Sequence, residues 1–317
     1  MAYAFQVMIT KSIQGVPNLN FLRVAVVVSG DWLSRIGNGM RMAIGWGLAV
    51  VWFSPAIALS AETVTLAPYR AVYEITLEEG GRRLAQPAAL MALSGRMVYE
   101  LTGGPCEGYS MTQRLVTAAD MVEGGRILED LQIAGFEDPQ ADTFEFVSRR
   151  LIGNRLAQKQ RGVATLKGDL TELTMREPQN DALTLPHKVL FPIGFQQALI
   201  IAALNGERLF SAHLFDGAEK VGAYYHTTSS IGPMTRSGPA TSPAQGPLAT
   251  LGTMKRWPLT IAYFQASEQS EAMTPLYELS TVLYENGVSG SLRLVFSDYV
   301  MRARLQSLDM LPVATCP

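Results

Sequence analysis

The chain has 317 residues, 48% hydrophobic and 17% charged, a globular balance that excludes an intrinsically disordered polymer. Its formal charge of −2 excludes a generally basic nucleic-acid binder. From the N-terminus, the first informative stretch is Arg41-Met42 followed by an uncharged apolar run over residues 43–53. Pro55 breaks that run, and Ala56-Ile57-Ala58 offers small residues at the −3 and −1 positions of a cleavage site. The order positive, apolar, small is that of a secretory signal peptide cleaved near Ala58 to Ser60. A retained anchor is the poorer reading, because the run falls short of the roughly 20 residues a bilayer core demands. The mature chain is therefore expected to carry no transmembrane segment. No Cys stands near the cleavage point and no Arg-Arg pair precedes the run, which fits general secretion rather than a lipoprotein or twin-arginine route. Residues 1–39 match no part of a signal, so Met40 or Met42 is an alternative start. Residues 1–60 are set aside as signal peptide with an over-called start, leaving 61–317 as one domain. That removal takes away Lys11, Arg23, Arg35, Arg41 and Asp31, and leaves 22 basic and 27 acidic residues, a formal charge of −5. Bulk charge gives such a domain no reason to seek phosphate backbones or anionic headgroups.

Beyond residue 60 the hydrophobic period is mostly two. Tyr69, Ala71, Tyr73, Ile75 and Leu77 share a face, and Gly80-Gly81 marks a turn. Met97, Tyr99 and Leu101 alternate with Arg96, Val98 and Glu100 until Gly103-Gly104-Pro105. Strand-like runs follow at 109–117, 126–133, 143–151, 160–166 and 170–176, separated by Gly or Asp clusters. Evenly spaced amphipathic strands predict a meandering sheet, sandwich or barrel. Residues 195–204 are good helix formers, and Asn205-Gly206 supplies a stop. This helix is apolar around most of its circumference, so it is expected buried against the sheet, plugging one end. Strands at 208–215 and 221–228 flank an Asp216-Gly217 turn. Residues 233–252 hold four prolines among small residues and read as a mobile surface loop. Strands at 257–266, 276–284 and 291–301 come next, the last two joined through Glu285-Asn286-Gly287. Leu305, Leu308 and Leu311 close the chain before Cys316.

Cys106 and Cys316, 210 positions apart, are the two cysteines of the chain. An isolated even pair in an oxidising compartment favours a disulfide, which would tie the C-terminal tail to an early strand–loop junction. Two buried thiols are the competing reading, while a metal pair lacks CxxC spacing or a nearby His. His187, His213 and His226 lie in separate segments with no HExxH or His-x-His spacing, so no metal or other cofactor is expected. His226, Ser289 and Asp298 supply the residue types of a serine hydrolase. However, Gly287-Val288-Ser289-Gly290 is not GxSxG and reads better as the far side of a hairpin. No GxGxxG and no GxxxxGK[ST] supports a nucleotide site. The pairs Glu78-Glu79 and Glu129-Asp130 read as solvated strand or turn edges, and the aromatic strand at 257–264 reads as barrel core.

The segment Gly95-Arg96-Met97-Val98-Tyr99-Glu100-Leu101-Thr102-Gly103-Gly104-Pro105-Cys106-Glu107-Gly108-Tyr109 resembles the signature of the cell-envelope-integrity EipB family. Similar pieces follow in order: Phe191-Pro192, then Ala202-Ala203-Leu204-Asn205-Gly206-Glu207, Phe215-Asp216-Gly217, Trp257-Pro258, Ala262-Tyr263-Phe264, Thr274-Pro275-Leu276-Tyr277-Glu278 and Leu283-Tyr284-Glu285-Asn286-Gly287-Val288. Ile193-Gly194-Phe195 departs from the family's tendency toward Thr and a nearby His. The resemblance implies a mostly β, single-domain, spiral or barrel-like antiparallel sheet with one or two helices. It also implies a disulfide between Cys106 and Cys316 and a non-enzymatic role in the periplasm of Gram-negative bacteria. On this footing the expected function is maintenance of envelope integrity by binding an envelope partner protein. The rivals are carriage or sensing of a lipid-like acyl ligand in a barrel-like cavity and, more weakly, serine hydrolysis.

Overall fold

The computed structural model describes residues 64–78, 90–236, 246–267, 270–271 and 274–313. The expected signal peptide and cleavage point, with Glu79 and Cys316, lie outside the described residues. The strands are β1 (Tyr69–Leu77), β2 (Leu90–Gly104), β3 (Gly108–Met121), β4 (Arg126–Asp138), β5 (Thr143–Ile152), β6 (Arg155–Lys167), β7 (Leu170–Glu177) and β8 (Asp181–Leu185). After helix α1 (Pro192–Leu204) come β9 (Leu209–Leu214), β10 (Tyr224–Ile231), β11 (Thr235–Arg236), β12 (Lys255–Ser267), β13 (Ser270–Glu271), β14 (Tyr277–Tyr284), β15 (Leu292–Phe296) and β16 (Val300–Met310). All pairings are antiparallel, in the order β8-β7-β6-β5-β4-β3-β2-β1-β16-β15-β14-β12-β10-β9, with β11 and β13 extending the ladders beside β12.

The sheet is open, with β8 and β9 at its ends. Its ends are nonetheless brought together through the chain that leaves β8. The Leu190 N–H donates to the His213 carbonyl at 2.7 Å, and the Phe215 N–H donates back to Leu190 at 3.0 Å. Winding needs bends, and glycines with no Cβ on the inner face supply them. A Cβ at Gly135 on β4 would sit 2.5 Å from the Phe144 ring, and one at Gly162 on β6 would sit 2.8 Å from the Thr174 carbonyl. The rings of Phe144 and Phe146 thus lie over neighbouring backbone, and both pack against Phe215 next to β9.

Alternation held along most strands: Tyr69, Ala71, Tyr73 and Ile75 are buried on β1, and Met97, Tyr99 and Leu101 on β2. Trp257, Leu259, Ile261 and Tyr263 likewise face inward from β12. The structure corrects the reading in four places. Residues 291–301 are not one strand: a turn through Ser297-Asp298 divides β15 from β16. Leu305 and Leu308 belong to the eleven-residue β16, which pairs with β1. Their spacing of three hid the strand. Tyr73 faces Leu305 while Val72 faces Ser307, so Gln306 is an extra, bulged residue that resets the alternation. Asp216-Gly217 is not a two-residue hairpin turn, because β10 starts only at Tyr224 and Asp216 is buried, its carboxylate accepting the Ala218 N–H at 2.9 Å. The segment 233–252, read as loop throughout, contains β11 and a short 3-10 helix, Pro247–Leu251, anchored by buried Leu251. Residues 237–245 lie outside the described ones.

Helix α1 begins earlier than its apolar run predicts, with Pro192 in its first turn. None of its residues is exposed. It is hydrophobic all round because it lies inside the wound sheet.

Candidate functional site

Helix α1 is held in the interior by polar contacts at several levels. Its N-terminal N–H groups find no cap in their own segment. Glu137, near the end of β4, fills that role: its carboxylate accepts the N–H of Ile193 at 2.7 Å and of Gly194 at 2.8 Å. Burial pushes the Glu137 carboxyl up to about 7, against the two backbone hydrogen bonds that favour its ionised form. The Gln196 side chain donates to the Gly287 carbonyl, and Gln197 donates to the Val64 carbonyl at 2.7 Å. Phe195, Gln196 and Leu199 face Leu259, Ile261, Leu279 and Leu283 across a cavity of about 30 Å³. That is room on the scale of a water molecule.

A second polar group lies where β4, β5 and the 215–223 segment meet. Glu129 and Arg150 pair at 3.4 Å, their side chains 8% and 5% exposed. Burial raises the Glu129 carboxyl and Arg150 opposes that shift. Glu219 is raised by burial, with Arg150 and the Tyr225 hydroxyl acting against it. Asp216 is pushed by burial up to about 8. Gln160 donates to the Glu219 carbonyl, and Gln158 does so at 3.2 Å. Glu129 is therefore not the solvated edge its sequence suggests, although Asp130 beside it faces outward and holds Arg114 at 2.8 Å. Glu78 has an edge role of a different kind, joining Arg293 at 3.0 Å and Arg302 at 2.6 Å. A buried ion pair of the Glu129–Arg150 kind adds little net stability, because desolvation of the two charges offsets their attraction.

The three histidines, dispersed in sequence, converge. His213 and His226 are cross-strand neighbours on β9 and β10, and the His187 ring stacks on His213 at 4.2 Å and 7°. Among the described residues no group of three potential metal-ligating side chains is arranged to hold an ion. The hydrolase residues do not converge. Ser289 bridges Leu283 at one end of β14, while Asp298 follows Phe296, which faces Tyr277 at the other end. His226 faces Phe264, next to Tyr263, and so also belongs to the Tyr277 end. Six residues of extended strand separate the two ends by about 20 Å.

Cys106 is exposed in the turn joining β2 to β3, and its carbonyl accepts a hydrogen bond from Gln140 at 3.4 Å. Sequence reasoning missed Glu137 and the buried status of Glu129. The inward phase of β4 was legible, since Glu129, Leu131, Ile133 and Glu137 share odd positions. A carboxylate in that phase was the available signal.

A model of the EipB-like family matches residues 60–312. The cell envelope integrity protein EipB of Brucella abortus (strain 2308) is 31% identical over 293 residues, covering 92% of this chain and 96% of that protein. A crystal structure described as a β-barrel-like protein of domain of unknown function DUF1849 from Brucella abortus is similar with a TM-score of 0.69 and 30% identity. The match covers 78% of this chain and all of that one.

Proposed function

This chain belongs to the EipB-like family, and we propose on that basis that it maintains cell-envelope integrity from the periplasm by binding another envelope protein. The observation that carries the choice of partner over ligand is the filling of the sheet interior by α1. The gap left against β12 and β14 is about 30 Å³, which does not admit an acyl chain. That gap gives no support to acyl carriage, and the partner's contact is placed on an outer surface. No helix among the described residues is long and apolar enough to cross a membrane.

The proposal includes export by the signal peptide ending near Ala58 to Ser60 and a Cys106–Cys316 disulfide. Geometry supports the disulfide. Met310 faces Tyr69, and Tyr69 faces Leu101, so the end of β16 lies two strands, about 10 Å, from the part of β2 that leads to Cys106. Six residues from Met310 to Cys316 can span about 20 Å. Among the described residues no cysteine is free.

Deleting the gene in its native host should sensitise the cells to detergent and to antibiotics that an intact outer membrane excludes, with restoration by the exported chain. Crosslinking in those cells should yield a discrete adduct with an envelope protein. Unchanged sensitivity on deletion would defeat the proposal. A lipid retained by the purified protein in native mass spectrometry would move the reading to ligand carriage.

A further inference from the structure

Two depressions on the outer face of the sheet, of about 310 and 350 Å³, share Thr112, Ala134 and Val147 and so form one trough across β2 to β7. Cross-strand register explains the line. Thr112 faces Ala134, Ala134 faces Val147, and Val147 faces Arg161. The adjacent line runs Arg114, Gln132, Arg149. At the far end the β6–β7 ladder is bulged. Arg161 faces Glu177 while Gly162 faces Met175, which leaves Arg176 as the extra residue. A bulge re-aims the side chain it carries, and Arg176 lines the trough wall together with Arg161.

The charges here run against those of the molecule. Arg114 is neutralised by Asp130, and Glu177 is taken by Lys159 at 2.7 Å. Arg149, Arg161 and Arg176 are exposed and, among the described residues, have no ion-pair partner. Glu145 is the acid in the trough lining. Three uncommitted guanidiniums flank small side chains, in a chain whose residues from 61 onward sum to −5.

We propose that this trough is the docking surface for an extended, acidic segment of the partner protein. The inference rests on the partner-binding reading above and adds the surface and the chemistry. From β3 to β7 the trough crosses four inter-strand steps, about 19 Å, the length of five or six extended residues. Guanidiniums pair with carboxylates through two parallel hydrogen bonds, and the small floor of Thr112, Ala134 and Val147 lets a backbone approach. A recessed floor suits a chain better than a flat bilayer.

The test uses the chain from residue 61 onward, purified from periplasm, and a fluorescein-labelled decapeptide of alternating Glu and Ala, read by anisotropy. Binding should weaken with salt. It should fall at least tenfold in the double variant Arg161→Glu, Arg176→Glu, and stay unchanged in Arg70→Glu, Arg304→Glu, which makes the same charge change on the outer face of β1 and β16. Should the first pair fail to fold, Arg149→Glu on β5 carries the same expectation. Absence of peptide binding, or equal loss in both pairs, overturns the proposal. Binding to phosphatidylglycerol vesicles without binding to the peptide overturns it in favour of a membrane. In the host, an Arg161→Glu, Arg176→Glu allele that fully restores envelope integrity defeats this surface alone. A deletion with no envelope defect defeats the function beneath it.

Discussion

Glu137 accepts two N–H groups at the start of α1 from within the sheet, and burial holds its carboxyl near 7. In the unfolded chain the same group titrates in the ordinary carboxylate range near 4.5. Its folded value is raised, so the folded state binds the proton more tightly. The associated stability is full below about 4.5 and is lost as pH rises through about 7. Asp216, raised to about 8, extends the same trend upward. Over that window Glu137 alone is worth on the order of 3 kcal/mol. Thermal melts should therefore show Tm falling as pH is raised from 5.5 to 8.5. Glu137→Gln, which cannot titrate, should flatten part of that slope, and because its amide nitrogen cannot accept the second helix N–H it should also lower stability across the whole range by about 1–3 kcal/mol. An identical slope in the Gln variant would show that the charge on Glu137 is not what titrates.

At the scale of the element, the register of β16 against β1 depends on a single residue. Met301, Ala303 and Leu305 point inward, and the bulge at Gln306 allows Leu308 to do so as well. Deleting Gln306 removes the bulge and keeps Leu305 and Leu308 on the inner face, so the urea midpoint should change little. Deleting Arg304 instead turns Leu305, 7% exposed, toward solvent, because a slip of one residue inverts the strand. Losing that burial should cost about 2–5 kcal/mol and lower the midpoint clearly. Equal effects of the two deletions would contradict the bulge. Helix α1 obeys a different rule: its apolar circumference has meaning only because the sheet surrounds it.

For the molecule as a whole, β1 pairing with β16 joins the two ends of the domain, and the proposed Cys106–Cys316 bond would lock that junction. Closing so long a loop restricts the unfolded chain by up to about 5 kcal/mol in the chain-entropy account. Cys106→Ser should then lower Tm by about 5–15 °C, and the wild-type chain should run faster on a non-reducing gel than when reduced. Two titratable thiols in folded protein taken from the periplasm would remove the bond from the account. The same architecture, with its interior occupied, is why partner recognition is assigned to the outer face.

The sequence alone determined the strand phases, the buried helix and the resemblance to the EipB family, since each is written in short-range periodicity or contiguous motifs. Tyr69 to Leu77 and Met97 to Leu101 read correctly because alternation is a local property of an extended chain in a half-buried sheet. Tertiary structure decided what depends on distant neighbours. Gln306 shifts phase only because β1 lies opposite, and Glu129 is buried beside Arg150, which reaches it from the neighbouring strand. Glu137 becomes a helix cap across 56 positions of sequence, and three scattered histidines meet where β9, β10 and the chain leaving β8 converge. These are contacts between faces, and a face acquires a partner only when the sheet winds.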